Sequence, residues 1–428
     1  MRARAAGPFA LLWSSMMSGY LADALVWTAA PLLAVRLTQD PFAVSAISAA
    51  SYLPWLLFGV AAGVAADRFD RRRLLGVANV ARAAVVLAAA ALVATGRMPV
   101  WGLVVLIFVA GVLETVAEEG NQALLPRVVD AAGRDAANSR VAAGTQVAQG
   151  LVAPSAAAGL VALAAAAPFV VSGAAFAVSA LVALLLPRAT GRREASPTTG
   201  EVRDGYFRQL DDGARFLWRD RPLRTLLLVT TGSATCLTLA QAALVVYVVR
   251  TLHVPDALVG VFLATGAVGS VVASVLLARV VERIGRPRVL AGSALVCGPM
   301  LVVMGVVPGT RAGAVVAAGA FAGMTLGVTV WNSLTASVRQ HRVPDALLGR
   351  VSGTWRTVCW VLVPLVTLAG GALARVDLRL PLVLGGVLAT LLAAVTARAV
   401  AGAATASVAA PRPVPTESRE PELVAAEG

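Results

Sequence analysis

The chain has 428 residues, of which 58% are hydrophobic and only 14% charged, with a formal net charge of +13. Soluble domains carry about a quarter charged residues, so these few polar groups cannot cover a water-facing surface, and lipid must be the solvent for most of the chain. The positive charge does not point to nucleic acid, because every basic residue is an arginine and the arginines fall in short loops between apolar runs.

Taken in order, twelve apolar spans are expected, at about 9–35, 42–66, 74–95, 100–119, 141–163, 167–187, 223–249, 257–279, 289–308, 312–335, 351–373 and 379–400. Over runs this long in lipid only helices satisfy every backbone group. The first span follows Met1 to Arg4 and is too long for a signal-peptide core, so it reads as an uncleaved helix. Between spans 2 and 3 lies a tight basic turn, Gly63 to Arg73, holding Asp67, Arg68, Asp70, Arg71, Arg72 and Arg73. A second copy lies between spans 8 and 9, from Ala278 to Arg288, with Glu282, Arg283, Gly285, Arg286 and Pro287. Both read small-x-x-x-acid-Arg-x-x-Arg.

Arginine sets the expected orientation. With the N-terminus inside, the inner segments hold Arg2, Arg4, both basic turns, Arg127, Arg134, Arg140, Arg339, Arg342 and Arg350. The outer loops hold only Arg36, Arg97, Arg250, Arg311, Arg375 and Arg379. This bias puts both termini in the cytoplasm. The chain then divides into an N-terminal six-helix bundle (1–187), a cytoplasmic linker with an amphipathic segment (188–221), a C-terminal six-helix bundle (222–401) and a tail (402–428). In the linker, Phe207, Leu210, Phe216, Leu217 and Trp218 are expected against lipid or protein. The Pro-rich tail is expected to be disordered. The halves repeat: Pro154 in span 5 and Pro364 in span 11 stand at matching depth, and Asn121 after span 4 matches Asn332 after span 10. The fold class is all-α integral membrane, with twelve transmembrane helices in two pseudo-symmetric bundles.

A charge inside the membrane costs at least a few kcal/mol, so it needs a partner or a watery cavity. Asp23 lies past the midplane of span 1 and reads as a cavity-facing acid for a cationic substrate or a coupling proton; the alternative is a helix-packing hydrogen bond. Glu114 and Glu118 share one face of span 4. Arg82 on span 3 falls at similar depth, and whether it pairs with Glu114, as a responsive pair or as a static one, is left open by the sequence. Gln146, Gln149, Gln241, Asn332 and Arg356 are further candidate cavity groups, each open to the plainer reading of a helix–helix hydrogen bond. Trp55, Trp355 and Trp360 could stack on a substrate or simply pack. Cys236, Cys297 and Cys359 fall inside apolar spans, and His253 and His341 on opposite sides, so no metal site or disulfide framework is expected.

The two basic turns resemble the loop signature Gly-x-x-x-Asp-Arg-x-Gly-Arg-Arg of the major facilitator superfamily, which joins helices 2 and 3 and repeats between helices 8 and 9. Here Asp70 stands where Gly is usual in the first copy, and Ala278, Glu282 and Pro287 depart in the second. The resemblance implies a gating role for Gly63, Asp67, Arg68, Arg71 and Arg72, and for Glu282, Arg283, Gly285 and Arg286. Asp67 would meet the N-terminus of span 11 near Gly349–Ser352 and hold the cytoplasmic face shut in the outward-open state. Leu124-Leu125-Pro126-x-Val128-Val129 and Val343-Pro344-Asp345-x-x-x-Gly349-Arg350 most resemble the efflux branch that includes siderophore and drug exporters. Drug–proton antiporters of the family carry an Arg on helix 4; span 4 has none, and Arg82 is the nearest substitute.

The expected function is a secondary active transporter, without cofactor and not an enzyme, that exports amphipathic small molecules by proton antiport. An importer or lipid-type flippase on the same fold is the alternative, and a polytopic membrane enzyme or sensor the reading from another class. Its expected partners are the small-molecule substrate, protons and the bilayer of the cell membrane, with no nucleic acid, and a monomer is expected.

Overall fold

The computed structural model describes residues 3–130, 133–187, 211 and 213–406. Among them, twelve helices are long and apolar enough to cross a membrane. They are α1 (Ala3–Leu37), α2 (Pro41–Arg68), α3 (Arg71–Ala94), α4 (Val100–Val128), α5, α6 (Ala167–Leu185), α7, α8 (Asp256–Ile284), α9 (Arg286–Val306), α10 (Arg311–Arg342), α11 and α12 (Leu380–Ala406). Three are interrupted: α5 into α5a (Arg134–Thr145), a π-helical stretch (Gln146–Val152) and α5b (Ala153–Leu163); α7 into α7a (Arg221–Gln241) and α7b (Leu244–Arg250); α11 into α11a (Asp345–Trp360) and α11b (Val363–Ala374). Several helices outrun the apolar spans, as α4 and α10 do into the polar residues up to Val128 and Arg342. Hydropathy marks only the lipid-facing length, whereas helical hydrogen bonding continues into water.

Helix starts follow the sequence locally. Asp40, Asp70, Asp220 and Thr310 each stand just before a helix and accept a hydrogen bond from one of its first N–H groups. The capping role explains Asp70 in the first basic turn, since it takes the Arg73 N–H at 2.9 Å with ordinary negative φ. The second turn solves the same corner with Gly285 at φ 85°, a left-handed conformation that suits glycine. The breaks in α5 and α11 both fall just ahead of Pro154 and Pro364, which lack the N–H that would continue the ladder.

Helices α1–α6 pack on one another, as α3 on α6 and α2 on α4. Helices α7–α12 do the same, as α9 on α12 and α8 on α10. The two bundles meet through α5b against α8 and α11b against α2, so the segments redirected by the prolines are the ones that join the halves. These contacts lie at the end away from the chain termini. There Ser45 donates to the Ala242 carbonyl at 2.9 Å, taking up an acceptor freed by the break in α7. Packed apolar clusters at that end draw on both halves, Val246 with Leu25 and Leu32 with Leu301. Clusters at the terminal end draw on one half each. The bundles are therefore joined at the distal end and separate toward the termini.

Of the linker, residues 213–219 are helical and dock on the second bundle, with Leu217 fully buried and Trp218 exposed. Phe207 and Leu210, and the tail from residue 407, lie outside the described residues.

Candidate functional site

Three ionisable groups in the first bundle converge because their helices carry them to one level. Asp23, Arg82 and Glu114 stand about 18 to 21 Å from the distal ends of α1, α3 and α4 by helical rise. Between the two acids within its reach, Arg82 bonds Asp23 and not Glu114. Its Nη2 donates to Asp23 Oδ1, and its Nη1 donates to Asn79 Oδ1 at 3.2 Å. The reason is α1, which packs against α6 and α4 and presents Asp23 to the guanidinium, so that the acid is paired and buried. Asp23 is 3% exposed and Arg82 2%. Asn79 passes the network to Ser179, which donates in turn to the Ser15 carbonyl. The Arg82 guanidinium also lies over the Phe176 ring, 4.1 Å from its centroid.

Glu114 and Glu118 belong to the same cluster but play different parts. Glu118 accepts from the Tyr20 hydroxyl at 2.7 Å and from Gln122 at 3.0 Å. Glu114 Oε2 is buried without a hydrogen-bond partner, as are Arg82 Nε and Asn121 Oδ1. A hole of about 10 Å³ adjoins Asp23, Arg82, Glu114, Glu118 and Asn121, which is room for about one water molecule. Tyr20, Asn79 and Ser179 are not among the sequence candidates, and Asn121 enters there only as the match to Asn332 in the repeat. Their signal was available: four polar residues on helices 1, 3, 4 and 6 inside otherwise apolar runs.

The second bundle holds a different site, a cavity of about 700 Å³ between α7, α10 and α11. Arg356, Arg339, Asn332, Trp331, Trp355 and Trp360 line it, together with small hydroxyl and thiol side chains. The Arg339 guanidinium covers the Trp355 ring at 4.4 Å. Arg356 is exposed in the cavity wall and makes no hydrogen bond or ion pair among the described residues. Arg339 was read from sequence as a cytoplasmic anchor, since it stands at the end of an apolar span. Gln146 and Gln241 join neither site: both are exposed beside the breaks in α5 and α7 and make no side-chain hydrogen bond among the described residues.

Glu282 and Arg283 are exposed and make no ion pair among the described residues. Arg72 donates to the Leu184 carbonyl within its own bundle. The side chains of Asp67 and Arg68, and Gly63 and Gly349, lie outside what is described. The expected latch belongs to the opposite conformation, with the terminal end closed.

Ion pairs between the bundles occur instead at the distal end. Arg36 meets Asp256 at 2.6 Å, and Arg375 clamps Asp40 through Nε and Nη2. Arg250 donates to the carbonyls of Val35, Thr38 and Gln39, the last turn of α1 and the loop after it. The hydrogen bonds from Arg375, ahead of that from the Phe42 N–H, hold the Asp40 carboxyl below the usual carboxylate range. Arg36, Arg250 and Arg375 are three of the few arginines on the arginine-poor side. Their scarcity there was the sequence signal, because a topogenic role does not account for them.

The sequence family described as Major Facilitator Superfamily matches residues 12–368. Among solved structures, the chain resembles a bacterial homolog of the human lysosomal transporter Spinster, in an inward-facing and unoccupied conformation (12% identity, 97% of this chain and 100% of that one, TM-score 0.71). It also resembles a bacterial homologue of the iron transporter ferroportin in an inward-facing state (18% identity, 92% and 98%, TM-score 0.69). A third likeness is to a POT family transporter in complex with 5-aminolevulinic acid (10% identity, 91% and 96%, TM-score 0.68). At these identities the likeness is one of fold. No curated protein matches the chain.

Proposed function

The chain belongs to the major facilitator superfamily, and on that footing we propose that it is a secondary active transporter that exports amphipathic small molecules in exchange for protons. It works as a monomer in the cell membrane, with both termini in the cytoplasm, so the distal end faces outward and the conformation described is open to the inside. The observation that carries the reading is the buried Asp23–Arg82–Glu114 cluster. Two carboxylates, Asp23 and Glu114, lie beside one guanidinium that bonds only the first of them, and a proton is what balances the remaining negative group. Buried ionisable groups of this kind inside a membrane bundle mark a functional site by default.

Coupling follows from where α1 runs. Its middle carries Asp23, and its distal end supplies the carbonyls that Arg250 of the second bundle holds. A proton arriving at the cluster weakens the Asp23–Arg82 bond and loosens α1 against α3. That change travels along a single helix to the outer contacts between the bundles. Release of those contacts and closure of the inner end by the basic turns completes alternating access. Alternation between a protonated and a cargo-bearing state then yields antiport.

The test is efflux of a panel of fluorescent anionic, neutral and cationic compounds from cells expressing the wild type or Asp23→Asn, with and without a proton uncoupler. Export that the uncoupler abolishes, and that Asp23→Asn also lacks, is the expected result. Export indifferent to both would remove proton coupling and return Asp23 to a packing role. Uptake above that of control cells that the uncoupler abolishes would favour the import reading.

A further inference from the structure

We infer that the cavity in the second bundle is a binding site for an organic anion with a flat, unsaturated body, the anionic group being a carboxylate, sulfonate or phosphate. The inference rests on the transporter reading above and names the cargo class. Four observations on the cavity carry it. First, its charge is one-sided: Arg339 and Arg356 line it, and no carboxylate does among the described residues. Second, neither arginine makes an ion pair among the described residues, so both charges are left for a ligand to neutralise. Arg356 stands about 9 Å along α11a from Arg350, where the apolar span begins. Third, the wall is aromatic: Trp331, Trp355 and Trp360 line it beside the cations, Trp360 is exposed, and Arg339 stacks on Trp355. Fourth, the volume of about 700 Å³ is that of a small-molecule site.

The chemistry of recognition is then specific. A planar guanidinium grips a carboxylate or phosphate through two parallel hydrogen bonds, which a lysine point charge does not reproduce. Asn332 is exposed on the same wall and adds a neutral donor and acceptor. A cationic amphiphile meets two like charges and no acid there. An inside-negative potential also drives an anion outward, in the direction of export.

The experiment is titration calorimetry on the purified full chain in nanodiscs of uncharged lipid, with three matched probes: naphthoate, naphthylmethanol and naphthylmethylammonium. Naphthoate is expected to bind more tightly than the other two. Arg356→Gln is expected to weaken naphthoate by about ten-fold, the loss of one charge-assisted contact, with naphthylmethanol unchanged and Arg356→Lys intermediate. Arg356 is exposed, so its replacement spares the core, and the melting temperature of each variant checks this. Equal or tighter binding of the ammonium probe, absent binding of naphthoate, or unchanged naphthoate binding by Arg356→Gln would each overturn the inference. Repeating the titration with phosphatidylglycerol in the disc separates the sources of the anion: competition assigns the site to a lipid headgroup, and its absence to a soluble anion, both within the class inferred. No proton gradient enters this measurement, so a failure of antiport and a failure of anion recognition are read separately.

Discussion

The two bundles repeat one plan and fill it with opposite chemistry. Arg82 stands at the same interval after Gly63 as Cys297 after Ala278, and each lines the site of its own bundle. Gln146 precedes Pro154 by the same interval as Arg356 precedes Pro364. The first bundle therefore holds its arginine deep and closes acids around it, leaving a hole the size of one water. The second has a thiol at that station, carries its free arginine on α11 instead, and keeps a cavity large enough for cargo. Pseudo-symmetry preserves the helix breaks, which decide how the halves meet, and leaves the lining free to differ. On the function proposed, that difference separates an ion site from a cargo site within one repeated fold.

The largest way to break this comparison is Arg82→Ala. It leaves Asp23 buried without its counter-charge, at a cost of about 3–5 kcal/mol. Purified protein should melt well below the wild type, whereas Arg356→Gln should melt with it. Replacing Arg82 and Asp23 together by leucine should recover most of the loss, because a buried pair is often no better than apolar packing. An unchanged melt for Arg82→Ala would mean that the first site is as open as the second.

An intermediate effect is expected at the joint between the bundles. A Cβ on Gly260 of α8 would meet the Pro154 carbonyl and come within 2.8 Å of the Ala158 Cβ on α5b. Gly260→Val should therefore wedge the distal end open at a cost of about 1–3 kcal/mol to the conformation described. Spin labels at positions 97 and 311, in a cysteine-free background, should move apart; an unaltered distance would show that α5b and α8 yield without opening.

The smallest effect is expected from the exposed outer clamp. Asp40→Asn removes a pair worth about 1 kcal/mol or less. Because Arg375 holds the Asp40 carboxyl below its ordinary range, the contribution is full above the unfolded carboxylate range and fades as pH falls through the lowered value. The same label pair should report a constant distance through neutral pH and widening only in strong acid. In Asp40→Asn that acid-dependent widening should be lost.

Much of the molecule was legible in the chain. The count of spans, the tandem basic turns, the paired prolines and the approximate depth of each buried charge all follow from local composition and from the fixed rise of a helix. Depth alone could not say that Arg82 turns to Asp23 and not to Glu114, because pairing depends on how α1, α3 and α4 are rotated and packed. Nor could a count of topogenic arginines reveal that Arg36, Arg250 and Arg375 clamp the halves, or that Arg339 faces a cavity with Arg356. The sequence by itself determined which groups cross the membrane and how far in they stand, since lipid imposes helices and helices convert residue number into distance. Only the tertiary structure decided which groups meet, which end is joined and which charges are left free, because each of those depends on side chains far apart in the chain.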